Sequence, residues 1–338
     1  MDKKFLEELC EIDGIASNEF DVAFKLKNKF KNADRMLIDG LGSQIFEYSS
    51  EGPKIMFAAH MDEVGFMIKN IRENGLIDLI PIGGVKETAK GFQKARITTS
   101  EGSKIIGLIN STDDKLYMDI GVDSDKSVEN LGIDIGDMVC FASKSEWLNE
   151  DILMAKALDD RIGNFILSEV AKEINNLKER KNSIYLCNTV QEEVGTRGGK
   201  CSTDIIKPDV FFAIDVATAP DLNRGCDNHR KIGNGFMILH YDKTMIPNKK
   251  FLNYIKNLAK ENNIIFQKDM FGGGGTDAGN AHLVSGGRLA IVLGVPLRYC
   301  HGNYSMVNMK DVESLIKFIV EIIKDLDTDK LKDIKKYV

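Results

Sequence analysis

No apolar run in this chain approaches the ~20 residues that a membrane-spanning helix needs. Its first residues, MDKKFLEELCEIDG, set acids where a secretory signal requires an apolar centre. The expected setting is therefore the cytosol, away from any membrane. Cysteine is scarce: six in 338 residues, none in a CxxC pair, which in the cytosol reads as reduced thiols rather than a disulfide framework. Cys187 and Cys300, in apolar surroundings, read as small core residues. Positive charge is not clustered. The net charge is −6, with Lys and Arg spread among the acids, so there is no footprint for nucleic acid and no basic patch for a lipid surface. Internal repeats and low-complexity linkers are absent too. GTRGGK lacks the upstream glycine of a phosphate loop and has Cys201 where Ser or Thr should stand. IGNGFM has two of the three glycines of a dinucleotide fingerprint. With no GxSxG and no HExxH, serine-hydrolase and single-zinc protease readings lack their motifs.

What is present is the composition of a globular protein, 43% hydrophobic and 28% charged. Three textures follow one another. The first ends near residue 65, where Ile55–Ala59 suits a buried strand. From about Phe66 to Glu150 glycines recur between short β-rich runs such as ARITTS, KIIGLI and DMVCFAS, which predicts a compact all-β module. After that, helix and strand signals alternate. Ile162, Phe165, Ile166, Val170 and Ile174 share one helical face, and SIYLCNTV, DVFFAIDVA, GFMILHYD and RLAIVLGVP read as strands. A last amphipathic helix runs from roughly Met309 to Asp325. Such alternation predicts an α/β sandwich, with the all-β stretch inserted into it.

Ionisable residues gather where the apolar strands stop. His60 and Asp62 end KIMFAA, Glu192 and Glu193 end SIYLCNTV, and Asp215 ends DVFFAI. His301 follows RLAIVLGVPLRYC, and Asp159 and Asp160 precede a helix in AKALDDRIG. Ligands of open α/β sheets bind at the carboxyl ends of the strands, and four segments bring these groups to that edge. Two of the five histidines are among them. Taken singly, each has a plain reading: HMD as a polar exit from a core, EE as a solvated pair, DD as a helix cap. Together they match two divalent cations held close by a bridging carboxylate, further carboxylates and a few imidazoles. Such cations cancel the repulsion among neighbouring acids. At a strand end adjacent side chains diverge, so one Glu can bind a cation while the other faces the attacking water.

With these residues in hand, the sequence resembles the M42 group of metalloaminopeptidases, relatives of glutamyl aminopeptidase and of the tetrahedral (TET) aminopeptidases. The matching blocks are AAHMDEVGFM, AKALDDRIG, VQEEVGTRGG, AIDV, IGNGFMILHYD, GGGTDAG and RYCHG, in family order along nearly the whole chain. The resemblance implies a metallopeptidase α/β sandwich, residues 1–65 and 151–338, carrying a barrel-like β insertion, residues 66–150, that mediates dimer contacts. It implies homo-oligomers from dimer to dodecamer, peptide substrates, and two divalent metal ions per subunit, Zn²⁺, Co²⁺ or Mn²⁺. Carried over position by position, His60, Asp159 and Asp215 resemble the ligands of one metal and Asp159, Glu193 and His301 those of the second. Glu192 resembles the general base, and Asp62 the acid that orients His60.

The implied reaction is removal of N-terminal residues from peptides. Alternatives are a carboxypeptidase or N-acyl amino-acid deacylase on the same ligands, a β-glucanase, in which the histidines have no task, or an assembly protein with structural metals. Two departures from the family pattern bear on specificity: Gly302 follows His301 where Ser is usual, and GGRLA brings in Arg288. His240 reads as a packed strand histidine, His229 and His282 as surface or capping residues, and the glycines 272–275 before Thr276 and Asp277 as a flexible loop beside the pocket. The preferred N-terminal residue stays open.

Overall fold

Four apolar strands set the architecture because each is buried on both faces. In the computed structural model, which describes residues 1–112, 115–222 and 230–336, these are Ser183–Thr189, Lys54–His60, Val210–Thr218 and Leu289–Arg298. They lie side by side, all parallel, in the middle of an eleven-stranded sheet. Side chains alternate between faces along a strand. Val210, Phe212, Ile214 and Val216 enter one apolar cluster, while Phe211 and Ala213 enter another. The first cluster is completed by the helices Lys3–Glu11, Leu158–Asn176 and Met309–Asp325, the second by Arg197–Ile206 and Asp277–Ala281. Parallel sheets require this cover on both sides, so the α/β sandwich expected from the alternating pattern is the one that forms. Phe57 and Phe212 stack on the first face with ring centroids 4.7 Å apart.

Among the described residues, antiparallel pairing is confined to the flanks of this sheet and to a separate barrel. Gly65–Ile71, Ile77–Ile82, Gln93–Thr98, Lys104–Thr112, Lys115–Asp119 and Met138–Phe141 close on themselves around Phe66, Ile97, Ile109, Val139 and Phe141. Closure leaves no unpaired edge. Among the described residues a 3-10 turn, Glu87–Ala89, and a short α-helix, Asp125–Glu129, capped by the Ser124 hydroxyl, interrupt the expected all-β texture. Both are too short to show a helical period in sequence. The strand Glu146–Trp147 already belongs to the large sheet, paired with Ile152–Ala155.

Charge docks the barrel on the sheet. The Arg96 guanidinium makes two bonds of 2.6 Å to Asp13, and Lys104 adds a third at 3.2 Å. No helix among the described residues is long and apolar enough to cross a membrane.

Candidate metal centre

Because the four central strands are parallel, their carboxyl ends share one edge, and the acids and histidines arrive there together. Thr189 pairs with His60 and Asp215 with Gly294. The His60 Nε2 atom lies 3.2 Å from Asp159 Oδ1 and 3.9 Å from Glu192 Oε2. On the other side of Asp159, its Oδ2 is 3.1 Å from His301 Nε2, which is also 3.6 Å from Glu193 Oε1. Two groups of ligand atoms result, each spanning no more than 4.8 Å: His60 with Asp159 and Asp215, and Asp159 with Glu193 and His301. Asp159 belongs to both. Glu192 belongs to neither but lines the same cavity of about 590 Å³.

Local backbone explains how neighbouring residues take different tasks. Ala157 lies in the left-handed region, and Asp159 and Asp160 have non-helical angles before the regular helix begins. Asp159 thereby faces the cavity. Asp160 turns inward, accepting the Gly163 N–H at 3.1 Å and the His60 N–H at 3.2 Å. The capping reading of the DD pair therefore holds for Asp160. Gln191, also left-handed, separates the strand Ser183–Thr189 from Glu192 and Glu193. The Asp62 carboxylate then accepts both of their backbone N–H groups, at 2.9 and 3.1 Å. His60 Nδ1 bonds the Asp62 carbonyl oxygen at 3.0 Å, whereas the Asp62 carboxylate stands at 3.6 Å.

The electrostatics are those of a site built for positive charge. Burial raises Asp215 to about 8 and Glu193 to about 7, in both cases reinforced by the Asp159 charge. Burial likewise pushes Glu192 well above the carboxylate range; His60 opposes this, and Asp215 and Glu193 add to it. For Asp159 burial is outweighed by the bonds to His301 and His60, which hold it below the usual range. His301 rises to about 10, where Asp159 outweighs burial. Crowded acids of this kind take up either protons or cations. Glu193 Oε1 is buried with no hydrogen-bond partner among the described residues, as expected of an atom reserved for a ligand. The donor set, two imidazole nitrogens and carboxylates without thiolate, fits a borderline divalent cation.

A third acidic group, Asp13, Glu63 and Cys140, is different. The Lys156 ammonium already fills it, 2.5 and 2.8 Å from the Glu63 oxygens and 3.3 Å from Asp13.

The chain as a whole is similar to known proteins. The model of the M42 glutamyl aminopeptidase family matches residues 42–318. The chain is a member of the M42 glutamyl aminopeptidase family, and so a peptidase whose family implies divalent metals. Glutamyl aminopeptidase of Lactococcus lactis is 34% identical over 88% of this chain and 89% of its own length. A TET aminopeptidase from a marine sediment archaeon, Thaumarchaeota archaeon, superposes with a TM-score of 0.95 at 30% identity, covering 98% of both chains. The TET1 peptidase of Pyrococcus horikoshii, which can assemble into a tetrahedron or a large octahedral shell, superposes at 0.86 with 26% identity over 96% of this chain and all of its own.

The remaining sequence expectations sort themselves around this M42 site. Asp277 is buried and bonded to the Thr189 hydroxyl at 2.6 Å and the Gly199 N–H at 3.2 Å, directly behind the His60 strand end. The glycines 272–275 line the cavity. Cys300 is buried in the main core, as its sequence context predicts, and lines the cavity as well. His282 bonds the Ala278 carbonyl in its own helix at 2.8 Å, as a capping residue would. His240 lies on the strand Phe236–Tyr241 away from the cavity, and His229 falls outside the described residues. Arg288 does not reach the cavity: it sits at the amino end of its strand, at the opposite edge of the sheet. An added Cβ on Gly302 would meet Ala89 at an ordinary 3.4 Å. Sequence reasoning missed Gly83 and Gly84, whose backbone comes from the barrel to the edge of the site. Their only signal was their place among the recurring glycines of the β-rich stretch.

Proposed function

We propose that this M42 peptidase is an aminopeptidase that binds two divalent cations, Zn²⁺, Co²⁺ or Mn²⁺, in the two ligand groups that share Asp159. The observation that carries this reading is the shared carboxylate, with Glu192 beside both groups and part of neither. When bound, the cations would polarise the scissile carbonyl and acidify a water. His60 and His301 would hold them through Nε2, because the Nδ1 atoms are committed to the carbonyls of Asp62 and Gly84. Glu192, made more basic by burial, takes the water's proton and delivers it to the leaving amine. Asp62 fixes the backbone of the glutamate pair, so that Glu192 and Glu193 diverge without drifting. The large sheet with its helices then forms the catalytic domain, the strand Glu146–Trp147 included, and the barrel within residues 66–150 a dimerisation module. Support for the latter is apolar surface on the barrel, with Phe92, Ile106 and Leu108 exposed. Homo-oligomers between dimer and dodecamer follow by analogy with the assembling P. horikoshii relative. The described cysteines are all free, which supports a reducing compartment, the cytosol.

Glu192→Gln tests the base. It retains two cations and loses kcat by ~10²–10⁴-fold; turnover within tenfold of wild type would remove Glu192 from that role. Peptides with free and acetylated N-termini separate the rival reactions. Cleavage of blocked peptides would move the reading to a carboxypeptidase or deacylase.

A further inference from the structure

His301 does not leave its strand directly. After Arg298 the chain passes through two left-handed residues, Tyr299 at φ 62° and His301 itself at φ 64°. Non-glycine residues hold such angles at a cost of about 1–3 kcal/mol, and only where their surroundings over-determine them. The Tyr299 carbonyl is held by the Ser305 hydroxyl at 3.1 Å; the surroundings of His301 belong to the barrel. His301 Nδ1 bonds the Gly84 carbonyl at 3.1 Å, the Lys86 N–H donates to the His301 carbonyl at 3.1 Å, and Asn303 donates to the Gln93 side chain at 2.7 Å. The barrel backbone also passes close to the neighbouring ligand: a Cβ added to Gly83 would stand 3.1 Å from Glu193 Cβ and 3.2 Å from its Oε2. His60, Asp159 and Asp215, by contrast, all rise from the large sheet and the segment following it.

We infer that the barrel is a working part of the metal centre: its segment Gly83–Lys86 positions His301, and tight binding of the second cation depends on it while the first does not. The inference rests on the ligand assignment proposed above. Its physical basis is the imidazole itself. A ring that donates Nδ1–H to a fixed carbonyl keeps the Nε2 lone pair, and its direction, available for a cation. Gly84 is a glycine because of proximity, since an added Cβ would meet Nδ1 at 3.0 Å and Cε1 at 3.3 Å. Its backbone lies outside the left-handed region, so alanine there perturbs the ring and not the local chain.

Two independent variants reach His301 from its two sides. Gly84→Ala pushes the ring. Lys86→Pro deletes the N–H that holds the carbonyl, and Lys86 already has a φ of −64°, the value proline imposes. Gly91→Ala, with nothing near its added Cβ, is the control. The stripped proteins are titrated calorimetrically with Zn²⁺ alone, and their melting temperatures are recorded without metal. Wild type and Gly91→Ala bind two equivalents, and His301→Ala loses the second. Gly84→Ala and Lys86→Pro keep the first equivalent and weaken the second by ~10–100-fold, with metal-free melting unchanged. If both variants bind the second equivalent as wild type does while His301→Ala loses it, the inference is overturned and the ligand assignment stands. If His301→Ala still binds two equivalents as wild type does, the assignment falls and takes the inference with it. Loss of both equivalents in Lys86→Pro overturns the inference alone, because the segment would then act on the fold and not through His301.

Discussion

Lys156→Met probes the charge cluster beneath the metal centre. The Lys156 side chain is 1% exposed, as is Asp13, and Glu63 is 2% exposed. Its ammonium meets both Glu63 oxygens, Asp13 and the Ile12 carbonyl at 3.2 Å. Removing one partner of a buried ion pair costs about 3–5 kcal/mol, mostly because the other charge is stranded. Asp13 keeps Arg96 and Glu63 keeps the Arg161 guanidinium at 3.5 Å, which places the expected loss toward the lower end. With ~2.1 cal/mol/K per residue over 338 residues, the unfolding entropy is about 0.7 kcal/mol/K, so a loss of about 3 kcal/mol should lower melting by ~4–5 °C. The double variant Lys156→Met/Glu63→Leu removes the stranded charge, and its loss should be smaller than the sum of the two singles. Scanning calorimetry on the four proteins of the cycle reads both quantities. A single variant melting within 1 °C of wild type, or strictly additive losses, would refute the account of Lys156 as the cation of this cluster.

Two further outcomes follow from the same physics. For Asp13, burial is outweighed by Lys156 and Arg96, and its folded value lies well below the ordinary one. Its contribution to stability is therefore present above the unfolded value near pH 4 and disappears as pH falls toward the folded value. The stability gap between wild type and Asp13→Asn, measured by urea unfolding, should accordingly be constant from pH 7 to pH 5 and close below pH 4. Chelation should lower the melting temperature of the wild-type protein and added Zn²⁺ or Mn²⁺ restore it, since a ligand bound only to the folded state stabilises it by mass action. Identical melting with and without chelator would argue against resident cations.

The α/β core was legible because its signals are local. Runs such as VFFAIDVA are apolar on both faces, and the helix Met309–Asp325 repeats at a helical period. The same runs marked where the acids would converge, since parallel strands deliver their carboxyl ends to one edge. Other features had no local signal. Asp159 and Asp160 are identical in type and adjacent, and only the non-helical turn decides that one faces the cavity and the other caps a helix. Asp62, read as the acid that orients His60, has its carboxylate 3.6 Å from the imidazole Nδ1 and also accepts the backbone N–H groups of Glu192 and Glu193, a second task that residue spacing does not reveal. Lys156 and Glu63 sit inside recognisable motifs 93 residues apart, and nothing in their spacing reveals a buried pair.

Periodicity and apolar content thus determined, from sequence alone, that the chain would form an α/β sandwich with a β-rich insertion, because burial of apolar side chains depends on pattern and not on partner. They also determined which acids and imidazoles stand at strand ends. The tertiary structure decided which atoms of those residues meet, that Asp159 is shared between two groups, and that barrel carbonyls reach the imidazole of His301. Such contacts are set to a few tenths of an ångström by the docking of one folded unit on another, a quantity that no local stretch of sequence encodes.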